Sequence, residues 1–193
     1  MVEKLKEYKV ILASGSPRRQ SLLTEMGVKF EVVLHNDIPE DFPETIPIVK
    51  VAEFLAEKKA GFYQSEIKDN SLVITADTVV ILDNEILGKP IDANDACKML
   101  RKLSGKSHSV ITGVCIQSQV KKIIFSEETK VKFKQLTDSE IHHYVENYKP
   151  YDKAGSYGIQ EWIGLVGIQG IEGCYFNVMG LPVSRIYDVL LSY

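Results

Sequence analysis

Apolar positions along the chain switch between short continuous runs and helical spacing, and the switches divide it into alternating elements. Val10, Ile11, Leu12 and Ala13 form an apolar run that predicts a buried strand. The run breaks at Ser14-Gly15-Ser16 and passes through Pro17 into a helical pattern with Leu22, Leu23 and Met26 on one face. Ser16 is a candidate N-cap, and Pro17 suits the first helical position because its missing N–H is an orphan there anyway. Gly27 stands where a left-handed C-cap belongs. Residues 29–34 predict a second strand, and 35–47, acidic with Pro39, Pro43 and Pro47, a loop. Val51, Phe54, Leu55 and Phe62 recur at helical spacing over 48–63.

The β-branched run over 72–82 is long and apolar enough for a central strand, and Asp83-Asn84 turns the chain after it. Asp92 opens another helix, supported by Asp95, with Ala96, Met99, Leu100 and Leu103 on its buried side. Residues 109–119 and 121–133 read as two long strands joined by a tight turn. Thr137-Asp138-Ser139-Glu140 is a capping box that starts a helix running to about Asn147. Gly155, Gly158, Gly164, Gly167, Gly170 and Gly173 mark the following stretch as a loop, before a last amphipathic helix over 182–191. Strand–helix units mixed with a hairpin predict an α/β fold with a mixed, elongated sheet flanked by helices.

Composition narrows the function. The 193 residues can bury a substantial core, and the net charge of −3 lacks the basic face that a nucleic-acid or anionic-membrane binder needs. No apolar run approaches the ~20 residues of a membrane span. The charged start, Met1 to Glu7, lacks the apolar core of a signal peptide. Cys97, Cys115 and Cys174 are odd in number and widely spaced, which suits neither a disulfide framework nor a zinc cluster and points to a reducing cytoplasm.

Within this acidic chain, cations gather at loops and helix ends. Arg18 and Arg19 fall in the first turn of a helix that follows a small-residue loop. Free backbone N–H groups, the helix dipole and two guanidinium forks converge there on an anion site. Asp77 lies mid-strand in Ile74-Thr75-Ala76-Asp77-Thr78-Val79-Val80, where a buried carboxylate needs a partner, a metal or a job. Lys89 follows Gly88, which permits close backbone approach to a ligand. Lys58 and Lys59 are neighbours on a helix and cannot both face one site. The stretch from Asp152 to Gln160 is polar and ends in an amide, whose donor and acceptor suit the reading of a base edge. Gly105-Lys106-Ser107 imitates the end of a P-loop, but Leu100 stands where its first glycine belongs. His142-His143 point different ways on a helix and make a poor metal pair.

Together these segments resemble the Maf family of nucleotide pyrophosphatases. The resemblance is carried by Ala13-Ser14-Gly15-Ser16-Pro17-Arg18-Arg19 with Leu22-Leu23, by Ala76-Asp77-Thr78-Val79-Val80, and by Gly88-Lys89-Pro90. It continues through Met99-Leu100-Arg101-Lys102-Leu103-Ser104-Gly105, the stretch Asp152-Lys153-Ala154-Gly155-Ser156-Tyr157-Gly158-Ile159-Gln160, and Gly180-Leu181-Pro182-Val183. The segments keep the family's order over roughly residues 9 to 190. The resemblance implies one domain over residues 1–193, with two lobes and a central cleft, similar to inosine triphosphate pyrophosphatases. It implies hydrolysis of a nucleoside triphosphate to the monophosphate and pyrophosphate with Mg²⁺ or Mn²⁺, a homodimer, and a role in nucleotide-pool housecleaning or cell-division arrest.

Carried onto this chain, the resemblance makes Asp77 the catalytic or metal-binding carboxylate and Glu40, with Asp37 as rival, its metal-binding companion. Ser14, Arg18, Arg19, Lys59, Thr78, Lys89, Lys153 and Gln160 become substrate-binding residues. Arg18, Thr78 and Gln160 resemble the family's dTTP/UTP branch; the 7-methyl-GTP branch tends to place Gln after the aspartate and an acidic residue in the late loop. The remaining alternative is a non-catalytic nucleotide-sensing regulator. Asp77 argues against it, since a pure phosphate binder gains nothing from negative charge near its ligand.

Overall fold

A computed structural model describes residues 7–193; the charged start read in the sequence lies, but for Glu7, outside the described residues. The first apolar run forms β1 (Lys9–Leu12), and Pro17 opens α1 (Pro17–Glu25). Gly27 takes φ +79°, so the expected left-handed residue ends α1. The cap at its other end differs from expectation. Ser16 makes no side-chain cap; instead Ser14 Oγ accepts the Ser16 N–H at 3.3 Å. The loop folds back two residues earlier, and Ser14 becomes the organising hydroxyl.

The second strand is shorter than its pattern, β2 (Phe30–Val32), because its residues are largely exposed and only its backbone pairs, parallel to β1. A single 3₁₀ turn (Ile48–Lys50) leads into α2 (Val51–Gly61). The β-branched run is β3 (Ser71–Leu82), parallel to β1 with Leu12 opposite Ile74. Asp83 and Asn84 both take positive φ, the backbone of a tight hairpin turn. That turn returns the chain as β4 (Glu85–Leu87), a strand too short to register in the hydrophobic pattern.

Asp92 caps α3 (Ala93–Leu103) by accepting the Asp95 N–H at 2.7 Å, and Asp95 Oδ2 accepts the Ile91 N–H in return. Two long strands, β5 (Ser107–Gln117) and β6 (Lys122–Phe133), follow, and the full capping box opens α4 (Asp138–Tyr148). Among the described residues one mixed sheet has the order β2-β1-β3-β5-β6-β7, where β7 is Ile168–Glu172, with β4 pairing β3.

The glycine-bearing stretch is the main departure. It holds α5 (Trp162–Gly167), β7 (Ile168–Glu172), antiparallel to β6, and α6 (Tyr175–Val178) before the last helix α7 (Val183–Leu190). Its glycines mark close approach rather than looseness. A Cβ on Gly164 would lie 1.8 Å from the Ile159 carbonyl oxygen, so only glycine lets α5 sit on the preceding turn.

The chain folds as two compact units. One comprises the described residues through Asp77, Thr112–Glu127 and Gly180–Tyr193; in it α2 lies so close to β5 that a Cβ on Gly113 would meet the Ala52 oxygen at 2.2 Å. The other comprises Thr78–Ile111 and Glu128–Met179 and is built on a buried cluster that includes Leu100, Leu103, Phe133, Ile141, Tyr144 and Ile163. No helix of the described residues is long and apolar enough to cross a membrane.

Candidate active site

In the first unit the chemistry starts from two periodicities meeting. Successive residues of β3 alternate faces, so Thr75 and Asp77 share one face, while α2 repeats at three to four residues. Thr75 Oγ1 donates to the Ala56 carbonyl at 2.7 Å. One helical step on, Lys59 Nζ donates to Asp77 Oδ1 at 2.5 Å. The same ammonium donates to Glu40 Oε1 at 2.7 Å. Lys59 and Asp77 are nearly buried, with side chains 14% and 12% exposed, whereas Glu40 is 50% exposed. Asp77 is therefore compensated by an ammonium, as a buried carboxylate must be, and the loop over 35–47 brings Glu40, rather than Asp37, to that ammonium.

Two anchor points explain how an exposed loop holds Glu40. At its start the His35 ring stacks on Tyr63 at 4.3 Å, the His35 N–H donates to the Tyr63 hydroxyl at 3.1 Å, and His35 Nε2 lies 2.9 Å from Glu66 Oε1. Midway, Lys58 Nζ donates to the Asp41 carbonyl at 2.8 Å and carboxylate at 2.7 Å. The two neighbouring lysines thus take different partners, Lys58 the exposed Asp41 and Lys59 the nearly buried Asp77 with Glu40. Long flexible stems let both lysines reach the loop, Lys58 to Asp41 and Lys59 to Glu40.

The loop after β1 is fastened to the same strand. Arg19 donates from Nε to the Gly180 carbonyl at 2.8 Å and from Nη1 to the Ala76 carbonyl at 2.8 Å and Ser14 Oγ at 3.3 Å. Burial pushes its guanidinium below the ordinary arginine range, against the pull of nearby Asp77. Arg19 is thus part of the frame that sets Ser14 beside the Ala76–Asp77 segment. Arg18, its neighbour in the first turn of α1, is half-buried.

The remaining expected residues lie in the second unit. Thr78 follows Asp77, and strand alternation turns it to the opposite face. Lys89 is exposed between β4 and α3. The carbonyl of its neighbour Gly88 accepts the Gly155 N–H at 3.0 Å, which joins the Lys89 segment to the loop over 152–160. Within that loop Lys153 is buried, its Nζ 2.7 Å from Asp152 Oδ1 and 3.1 Å from Glu161 Oε1. Residues 155–159 are buried, and Gln160 projects into solvent from their end.

Sequence reasoning missed Thr75, Tyr144 and Glu161. Thr75 was detectable, two residues before Asp77 on the same strand face. Glu161 was obscured because the stretch around it was expected to be loop. Among the described residues no group of three or more His, Cys, Asp or Glu side chains could hold a metal by itself.

Fold and site define a mixed-sheet α/β protein in which a carboxylate–ammonium–carboxylate cluster shares a strand with an arginine-bearing helix start. The chain belongs to the Maf-like protein family, which matches over residues 9–193. It is 51% identical over 190 residues to a dTTP/UTP pyrophosphatase of Phocaeicola vulgatus, covering 98% of each chain. A protein of the same name from Porphyromonas gingivalis strain W83 is 50% identical over 195 residues, covering 100% of this chain and 98% of that one. Among solved structures, a HAM1 protein from Coxiella burnetii superposes with a TM-score of 0.52 at 13% identity, covering 96% of this chain and 100% of that one; it shares the fold.

Proposed function

We propose that this protein hydrolyses dTTP and UTP to the monophosphate and pyrophosphate, with water attacking the α-phosphorus. The supporting observation is near full-length identity, about half of all positions, to proteins of the Maf-like family named for that activity. The cluster of Lys59, Asp77 and Glu40 offers the chemistry the reaction needs. Transfer of this kind requires charge neutralisation and positioning more than covalent help.

Asp77 is the residue to orient or deprotonate the attacking water, because it is an acceptor on a rigid strand and Thr75 and Lys59 fix its face. Lys59 steadies the carboxylate and then offers its charge to the polyphosphate. Arg18 and Lys89 supply further cations, and Arg19, held on backbone carbonyls, presents Ser14 and the loop amides to the phosphates. Gln160 reads the pyrimidine edge, with Lys153 and Thr78 in the same substrate-binding set.

The donor set suits a divalent cation. Two carboxylates already converge on one positive group, Lys59 Nζ, and Mg²⁺ asks for few carboxylates plus substrate oxygens rather than a closed protein cage. Glu40 and Asp77 would hold Mg²⁺ or Mn²⁺, which when bound supplies charge stabilisation to the phosphate oxygens. All three cysteines are free thiols, in keeping with a reducing cytoplasm, and a homodimer completes the reading.

A nucleotide panel with product identification is the test. dTTP and UTP should exceed dCTP, ATP and GTP in kcat/KM and release pyrophosphate. Orthophosphate as the first product refutes the reaction. Preference for 7-methyl-GTP refutes the base assignment alone, and tight binding without turnover favours the nucleotide sensor.

A further inference from the structure

The turn that presents Gln160 is closed at both ends by one buried phenol. Gly158, Ile159, Gln160 and Glu161 form a turn in which the Glu161 N–H donates to the Gly158 carbonyl at 3.0 Å, with Gln160 at its exposed corner. The Tyr144 hydroxyl, on the fully buried side of α4, accepts the Gly158 N–H at 3.0 Å and donates to Glu161 Oε2. The first and last residues of the turn therefore meet on a single oxygen atom.

Three further features stiffen the arrangement. Glu161 Oε1 takes the ammonium of Lys153 at 3.1 Å, so the carboxylate is held from two sides. A Cβ on Gly158 would lie 2.8 Å from the Glu161 carboxylate carbon, and one on Gly164 would strike the Ile159 carbonyl. Burial and the adjacent Glu161 carboxylate push the Tyr144 phenol far above its ordinary range, so it stays a neutral donor at any working pH. All these groups lie in the second compact unit. Such closure suits an amide that must meet a base edge at a fixed angle.

We infer that Tyr144 and Glu161 are specificity-positioning residues, which set base discrimination by fixing the Gln160 turn without touching substrate. The inference rests on the reading of Gln160 as the base-contacting amide. It goes beyond that reading by placing part of the selectivity in a buried phenol–carboxylate pair.

Tyr144→Phe keeps the ring and removes only the hydroxyl. Steady-state kinetics with dTTP and dCTP should show the ratio of their kcat/KM values falling about fivefold to tenfold, the weight of one ordinary hydrogen bond. The loss should appear mainly in KM for dTTP, with kcat at saturation nearly unchanged. Gln160→Ala, measured alongside, tests the underlying reading, and the double variant should discriminate no worse than Gln160→Ala alone. Glu161→Ala, which removes the phenol's acceptor, repeats the test should Tyr144→Phe fail to fold. If Gln160→Ala flattens the preference and neither positioning variant does, the inference fails and the reading of Gln160 stands. A preference that survives Gln160→Ala overturns both.

Discussion

Two lysines in this protein sit in nearly the same local pattern in different surroundings. Lys59 lies between Glu40 and Asp77, and Lys153 between Asp152 and Glu161; in each case one carboxylate is exposed and the other largely buried. The Lys59 cluster gathers groups from a loop, a helix and a strand. The Lys153 cluster is local in sequence and ends in a neutral phenol and a backbone N–H, which have no charge to give. Under the proposed function the Lys59 cluster, with its strand-borne Asp77, serves the reaction. The Lys153 cluster, tied through Glu161 to a neutral, buried phenol, also braces the turn that carries Gln160.

The sharpest way to break this contrast is Asp77→Asn. Removing the charge while keeping the shape should lower kcat by roughly 10²-fold or more if the carboxylate acts on water. The melting temperature should change little. An active variant that melts much earlier would make the Lys59–Asp77 pair a structural bridge.

The second unit should respond to acid in stability. His108 is buried against Tyr157 of the 152–160 loop, its Nε2 2.7 Å from the hydroxyl, and its Nδ1 has no hydrogen-bond partner among the described residues. Burial lowers its pKa to about 4. Below its unfolded value of about 6.5 the unfolded chain binds a proton that the folded chain refuses, so stability falls as pH drops. The stabilisation is intact above about pH 6.5 and lost by about pH 4, at most about 3 kcal/mol. Denaturant midpoints between those limits should shift in the native protein and flatten in His108→Gln.

Gly164→Ala sharpens the comparison from the packing side. The added methyl group must displace the Ile159 carbonyl, costing about 1–3 kcal/mol. Urea melts should report that loss. Kinetics should show base preference weakened more than kcat, since the shifted backbone is that of the Gln160 turn. The smallest effect is expected of Lys58→Met. The Lys58–Asp41 pair is exposed on the Asp41 side, so loosening the loop should raise the Mg²⁺ concentration for half-maximal activity only about twofold to fivefold.

The strands β1, β3, β5 and β6 and the helices α1 to α4 were legible because each carries a clean apolar period or a capping signal. Thr137 and Glu140 form the capping box their spacing announces. What escaped was set by tertiary contact. β4 is three residues long, and α5, β7 and α6 hide behind glycines that sequence reasoning takes for loop signals. Asp77 was legible as a carboxylate out of place in an apolar strand. The Lys59 contact was not, because nothing in a helix pattern tells which of two adjacent lysines faces a strand eighteen residues on. Lys153 was legible as a charge in an ordered loop, but its partner Glu161 lies just past the Asp152–Gln160 motif.

Isotope placement decides most directly whether water attacks where the Asp77 cluster requires. Hydrolysis of dTTP in ¹⁸O-labelled water with Mg²⁺ should put one heavy oxygen into the dTMP phosphate and none into the pyrophosphate. Label recovered in pyrophosphate or orthophosphate, with dTMP unlabelled, would contradict attack at the α-phosphorus.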